Sequence, residues 1–178
     1  MGQDEDSSTP ARRLKLLEGF IAPGRTGGDA ARTAPTATSR PAAVLDVIDH
    51  MHASVDEVIT HTRAHAPGAR RPADLSDIYD WAREHTADLA PADQRARETL
   101  IYRQSLEHAI QMGDTKVVRP HPCPACGCFG LQWMAAMRRA VCTNLRCVDA
   151  DGMTTAWTLR TLAKAHIARQ ESRYVRAT

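Results

Sequence analysis

The sequence predicts a mainly α chain that carries one small β module near its C-terminal end. Three observations lead there. Apolar residues recur every three to four positions through 41–112 and again through 158–176. All five cysteines of the 178-residue chain fall between residues 123 and 147. The charge also changes sign where the cysteines begin. Residues 41–118 hold eight basic and thirteen acidic side chains, and residues 119–178 hold nine basic and three acidic ones. These shifts divide the chain into a tail over 1–40, a helical body over 41–113, and a cysteine module with a closing helix over 114–178.

The tail contains APGRTGGDAARTAPTATSRP, which has almost no large apolar residue. Such a stretch buries too little surface to offset its ordering entropy, so disorder is expected. RRLKLLEGFI (12–21) is the exception and reads as a nascent helix or a docking peptide.

The first helix is predicted over 41–66. Val44, Ile48, Met51, Val55, Val58, Ile59 and Thr62 share one side of a 3.6-residue wheel, with Asp46, Asp49, Asp56 and Glu57 opposite. Pro41 can start it and Pro67-Gly68 stops it. Ser54-x-x-Glu57 also fits a capping box, which would break the helix near Ala53. A second helix is predicted over 74–89, with Asp74 or Ser76 as cap and Leu75, Ile78, Trp81, Ala82 and His85 as its stripe. The third spans about 92–112, after Pro91 and before Gly113, which suits a left-handed C-terminal position. DTKVVRPHP (114–122) reads as an extended linker. Thr158 can cap the last helix, over 158–176, in which Arg160, Lys164, Arg169, Arg173 and Arg176 surround an apolar stripe.

Cys123-x2-Cys126 and Cys142-x4-Cys147 are two knuckles fifteen residues apart. A cysteine pair spaced by two to four residues can wrap one edge of a tetrahedron within a tight turn, the geometry that zinc takes from four thiolates. The stretch between the knuckles is long enough for a strand to leave and return, and TTAWTL (154–159) offers a third strand after a turn at VDADGM. This is a zinc ribbon holding one structural zinc ion through Cys123, Cys126, Cys142 and Cys147. Cys128 and His121 are near enough in sequence to compete as ligands. An odd number of cysteines argues against a disulfide framework.

CPACG followed by CTNLRC resembles the zinc-binding segment of the Ogr/Delta late-transcription activators of tailed phages. The resemblance covers residues 123–147. The insert between the knuckles is shorter here, Val148-Asp149 stands where that family continues with glycine, and the helical body has no counterpart in it. The chain as a whole looks like zinc-ribbon proteins of actinobacteria and their mobile elements. The resemblance implies the same four cysteine ligands and DNA-associated regulation.

Twenty of the twenty-three basic residues are Arg, a bias that fits a high-GC genome and so weakens the arginines as a nucleic-acid signal. No run of about 18 apolar residues is present, so no membrane span is expected. MGQDEDSSTP lacks the apolar region of a secretory signal, which points to the cytoplasm and reduced thiols. His61 and His65 have zincin spacing, but Thr62 stands where the glutamate belongs. No P-loop, dinucleotide fingerprint or nucleophile elbow occurs, so no catalytic role is expected. The reading is a DNA-binding transcription regulator with Trp133, Arg138, Arg139 and Arg146 toward the nucleic acid, Trp133 and Arg139 on one face. The alternative is an adaptor that docks on RNA polymerase or another assembly and uses zinc only as a staple.

Overall fold

The computed structural model describes residues 4–21 and 40–177. It is mainly helical: four helices, then a small three-stranded antiparallel sheet with the cysteine cluster, then a C-terminal helix. The chain divides into two compact units, Met1–His85 and Thr86–Thr178.

The first unit is built from α1 (Asp4–Ile21), α2 (Arg40–His65) and α3 (Ile78–His85). Leu14 and Leu17 of α1 are buried, because α1 packs on α2 and α3. The remainder of the expected tail, residues 22–39, lies outside the described residues. α2 buries Met51, Val55, Val58, Ile59 and Thr62 of the expected 3.6-residue stripe, with Val47 beside them; Ile48 is only half-buried, and the side chain of Val44 lies outside the described residues. It runs unbroken through Ala53. Ser54 makes no capping box there; its hydroxyl donates to the His50 carbonyl at 2.8 Å, a back-bond that leaves the helix continuous. Asp74 caps a short 3-10 turn, Leu75–Asp77, by accepting from the Ser76 N–H at 2.8 Å, and α3 follows directly.

The second unit begins with α4 (Pro91–Gln111), which has Pro at its first position and Gly113, at φ +86°, just past its end. α4, read from the sequence as the last helix of a body over 41–113, thus groups with the cysteine module. The expected extended linker is a 3-10 turn, Thr115–Val118. Asp114 caps it through the Lys116 N–H at 3.1 Å, and Val117 and Val118 are buried. β1 (Leu131–Met134) pairs antiparallel with β2 (Arg139–Cys142), and β2 with β3 (Ala156–Trp157). α5 (Leu159–Ala177) closes the chain; its first turn is capped by Thr158, whose hydroxyl accepts from the Thr161 N–H at 3.1 Å.

One core serves this whole unit. Leu106 and Ala109 of α4, Val117, Val118, Leu131, Ala140, and Leu159 and Leu162 of α5 pack with Cys123, Cys142 and Cys147. Three of the four clustered cysteines are therefore part of the core on which the helices rest. Among the described residues no helix is long and apolar enough to cross a membrane.

Candidate metal centre

Three pieces of backbone bring the four cysteines to the cluster. Cys123 and Cys126 lie on a turn closed by the Gly127 N–H donating to the Cys123 carbonyl at 2.8 Å and the Cys123 N–H to the Cys128 carbonyl at 2.9 Å. Gly127 adopts φ +72°, a conformation that glycine reaches without the steric cost of a β-carbon. Cys142 ends β2, where its N–H donates to the Thr155 carbonyl at 3.0 Å. Cys147 closes the second turn, its N–H donating to the Asn144 carbonyl at 2.8 Å.

The four thiols converge. Their Sγ atoms all lie within 4.8 Å of one another. Cys123 to Cys147 and Cys126 to Cys142 are each 3.7 Å apart. A regular tetrahedron of sulfurs at about 2.3 Å from a central zinc has edges of about 3.8 Å, so the donor set fits one such ion. Cys123, Cys142 and Cys147 are buried; Cys126 is at the surface.

The surroundings move the four thiols in opposite directions. Burial raises Cys123, but the backbone N–H groups of Cys126 and Ala125, with Trp157 and Cys147, outweigh it and hold this thiol down to about 6. Cys126 is also lowered, first by the Cys128 N–H. Cys142 is pushed up to about 12 by burial and by the neighbouring thiols. Cys147 is raised as well: its hydrogen bond from Thr155 favours the thiolate, but burial and Cys126 and Cys123 prevail. Two thiols are thus lowered and two raised, and a bound cation would favour the thiolate at all four.

Both competitors stand outside the cage. The His121 ring is committed on both sides: Nδ1 donates to the Val118 carbonyl at 3.3 Å and Nε2 accepts from the Tyr102 hydroxyl at 2.8 Å. Burial, then the nearby His166, lowers its pKa. Cys128 is exposed and receives the Asn144 side-chain amide at 3.7 Å. Its thiol is raised, chiefly by Cys126.

Protein-family models, curated proteins and solved structures contain no match to this chain. The resemblance to phage activators thus stands on the knuckle residues alone.

Arg138, Arg139 and Arg146 are exposed and form no ion pair among the described residues. Trp133 is half-buried and packs on the core. Its partner across the strands is Ala140, whereas Arg139 pairs with Met134. Cross-strand partners share a face and neighbours alternate, so Trp133 and Arg139 lie on opposite faces, not the same one. Unbroken alternation was the wrong premise: a 3-10 turn at Ala135–Met137 and a left-handed Arg138, at φ 50°, interrupt it. Arg138 is therefore a turn residue. His61 and His65 of α2 lie 5.3 Å apart between ring centroids but join no metal-binding group among the described residues.

Sequence reasoning missed three supports. Thr155 places its hydroxyl 3.0 Å from Cys147 Sγ and 3.9 Å from Cys123 Sγ. The Trp157 indole N–H is buried without a hydrogen-bond partner of standard geometry among the described residues, and it helps to lower the Cys123 thiol. Tyr102 of α4 stacks on His166 of α5 at 3.9 Å while bonding His121, which ties both helices to the lead-in of the first knuckle. Only Thr155 and Trp157 left a trace in the sequence, as members of the β-branched and aromatic TTAWTL.

Proposed function

We propose that the cysteine cage holds one structural zinc ion and that the unit it staples binds nucleic acid as a transcription regulator of phage or mobile-element type. All four tetrahedral positions are closed by sulfur, which leaves no place for a reactive water and favours a structural over a catalytic metal. The observation that carries the nucleic-acid reading is the charge around the cage. Residues 115–148 contain five basic side chains and no acidic one, and Arg138, Arg139 and Arg146 stand exposed within them. The unit as a whole has thirteen basic and eight acidic residues, a net of +5, against −3 for Met1–His85 with ten and thirteen. Unpaired arginines of one sign are suited to phosphate.

The test is binding to DNA fragments at two salt concentrations, with bound zinc measured in the same sample. Each phosphate contact contributes a slope of about 0.9 in log K against log salt on duplex DNA. Replacing Arg139 and Arg146 together by Ala is expected to flatten that slope by roughly 1.8 without releasing zinc. A wild-type protein that binds no nucleic acid overturns the reading. The alternative, an adaptor docking on RNA polymerase or another assembly, is favoured by the exposed Met134 and Met137 beside the hairpin arginines, which phosphate does not require.

A further inference from the structure

Phe129 and Leu145 are 70% and 90% exposed, and they stand on adjoining knuckles. Phe129 lies between two residues tied to the second knuckle. The Asn144 amide reaches Cys128 Sγ at 3.7 Å, and the Thr143 hydroxyl donates to the Gly130 carbonyl at 2.7 Å. Leu145 follows Asn144 directly. Next comes Arg146, whose N–H donates to Asn144 Oδ1 at 3.1 Å. Large apolar side chains are thus fixed in water on backbone that has little freedom to withdraw them, a pattern that marks a contact surface.

We infer that this double knuckle tip is a base-stacking site for single-stranded nucleic acid: Phe129 stacks on an unpaired base, Leu145 flanks it, and Arg146 meets the adjoining phosphate. The inference rests on the nucleic-acid reading and names the kind of strand. Three features select that occupant. The tip is made of turns, so it offers no helix for a major groove, and paired bases present only their edges there. A single strand offers the face of each base, on which an aromatic ring can stack whatever the sequence. The charge around the tip is complementary to phosphate, since no carboxylate occurs between Asp114 and Asp149. A stable protein partner would need about 800 Å² on each side, whereas one ring, one aliphatic flank and one guanidinium match a single nucleotide.

The experiment uses the full zinc-loaded chain with a short unstructured DNA strand carrying one fluorescent aminopurine base, and with the duplex of the same sequence. The strand is expected to bind more tightly than the duplex, with the aminopurine quenched by stacking. Phe129→Ala is expected to weaken strand binding about tenfold while zinc content and salt slope stay unchanged. Phe129→Trp is expected to retain it. If the duplex binds as tightly as the strand and Phe129→Ala changes nothing, the stacking site is overturned and the nucleic-acid reading survives. If neither DNA binds, both fall. If an acidic, leucine-rich peptide binds instead and Phe129→Ala abolishes that, the tip belongs to a protein partner and the inference is overturned.

Discussion

The two units of this chain hold themselves together by different means. Met1–His85 is stabilised by apolar helix faces: Leu14 and Leu17 of α1, Val55 and Val58 of α2, and Ile78, Tyr79 and Trp81 of α3 are all buried. Nothing in that list needs a ligand. Thr86–Thr178 has a comparable set of leucines and valines, but three of its core side chains are Cys123, Cys142 and Cys147. A sheet of strands of four, four and two residues has too little apolar surface to be stable alone. Its four clustered cysteines could hold one metal ion in place of a larger core. The lesson is that burial alone does not reveal what a core depends on; the chemistry of the buried groups does.

Removing the metal should therefore separate the units most sharply. Structural zinc contributes about 10–16 kcal/mol in finger peptides. With a strong chelator, hydrogen exchange in residues 131–142 and in the facing turns of α4 and α5 should accelerate by orders of magnitude, while α2 keeps its protection. Equal loss in both units would erase the contrast. Single ligands sharpen it further. Cys142→Ser should lose the ion and the sheet, whereas Cys128→Ser should keep a full zinc complement; the reverse pattern, read by metal analysis, would reassign the cage.

Packing effects should come next. Ala140 is fully buried between Trp133 and Trp157 on the strand face that meets the core. Ala140→Leu should overpack that row at a cost of roughly 1–3 kcal/mol in denaturant unfolding. Gly130 has φ +123°, and a β-carbon there would lie 2.6 Å from the Thr143 hydroxyl. Gly130→Ala should lose the tie between the knuckles and cost at least about 1–3 kcal/mol; no loss would mean that the knuckles are not coupled through it.

The smallest effect is chemical. In chelated protein titrated with iodoacetamide, Cys126 should react at lower pH than Cys128. Both are exposed, but the Cys126 thiol is lowered by the Cys128 N–H and the Cys128 thiol is raised by Cys126. The sign follows from the thiolate being the nucleophile: a lowered pKa populates it at lower pH. Mass spectrometry of the modified peptides reads the order.

Much of the fold was legible where a local rule decides it. The 3.6-residue stripe of α2, the Thr158 cap and the Gly113 stop are visible in the chain because each acts within a turn or two. The cysteine spacing marked the cage for the same reason. What sequence missed depends on distant partners. Val117 and Val118 read as linker because their burial comes from the core of the second unit rather than from local periodicity. The face of Arg139 was misread because a left-handed Arg138 is invisible to alternation. His121 was a plausible ligand until Tyr102, nineteen residues earlier, occupied its Nε2. Phe129 drew no attention, because exposure of a ring is a property of the folded knuckle.

X-ray absorption at the zinc edge of the full chain tests the central claim most directly. The account predicts one zinc per chain with four sulfurs at about 2.3 Å and no nitrogen or oxygen in its shell, unchanged in Cys128→Ser. A shell containing a histidine nitrogen or a water oxygen, or iron in place of zinc, would contradict it.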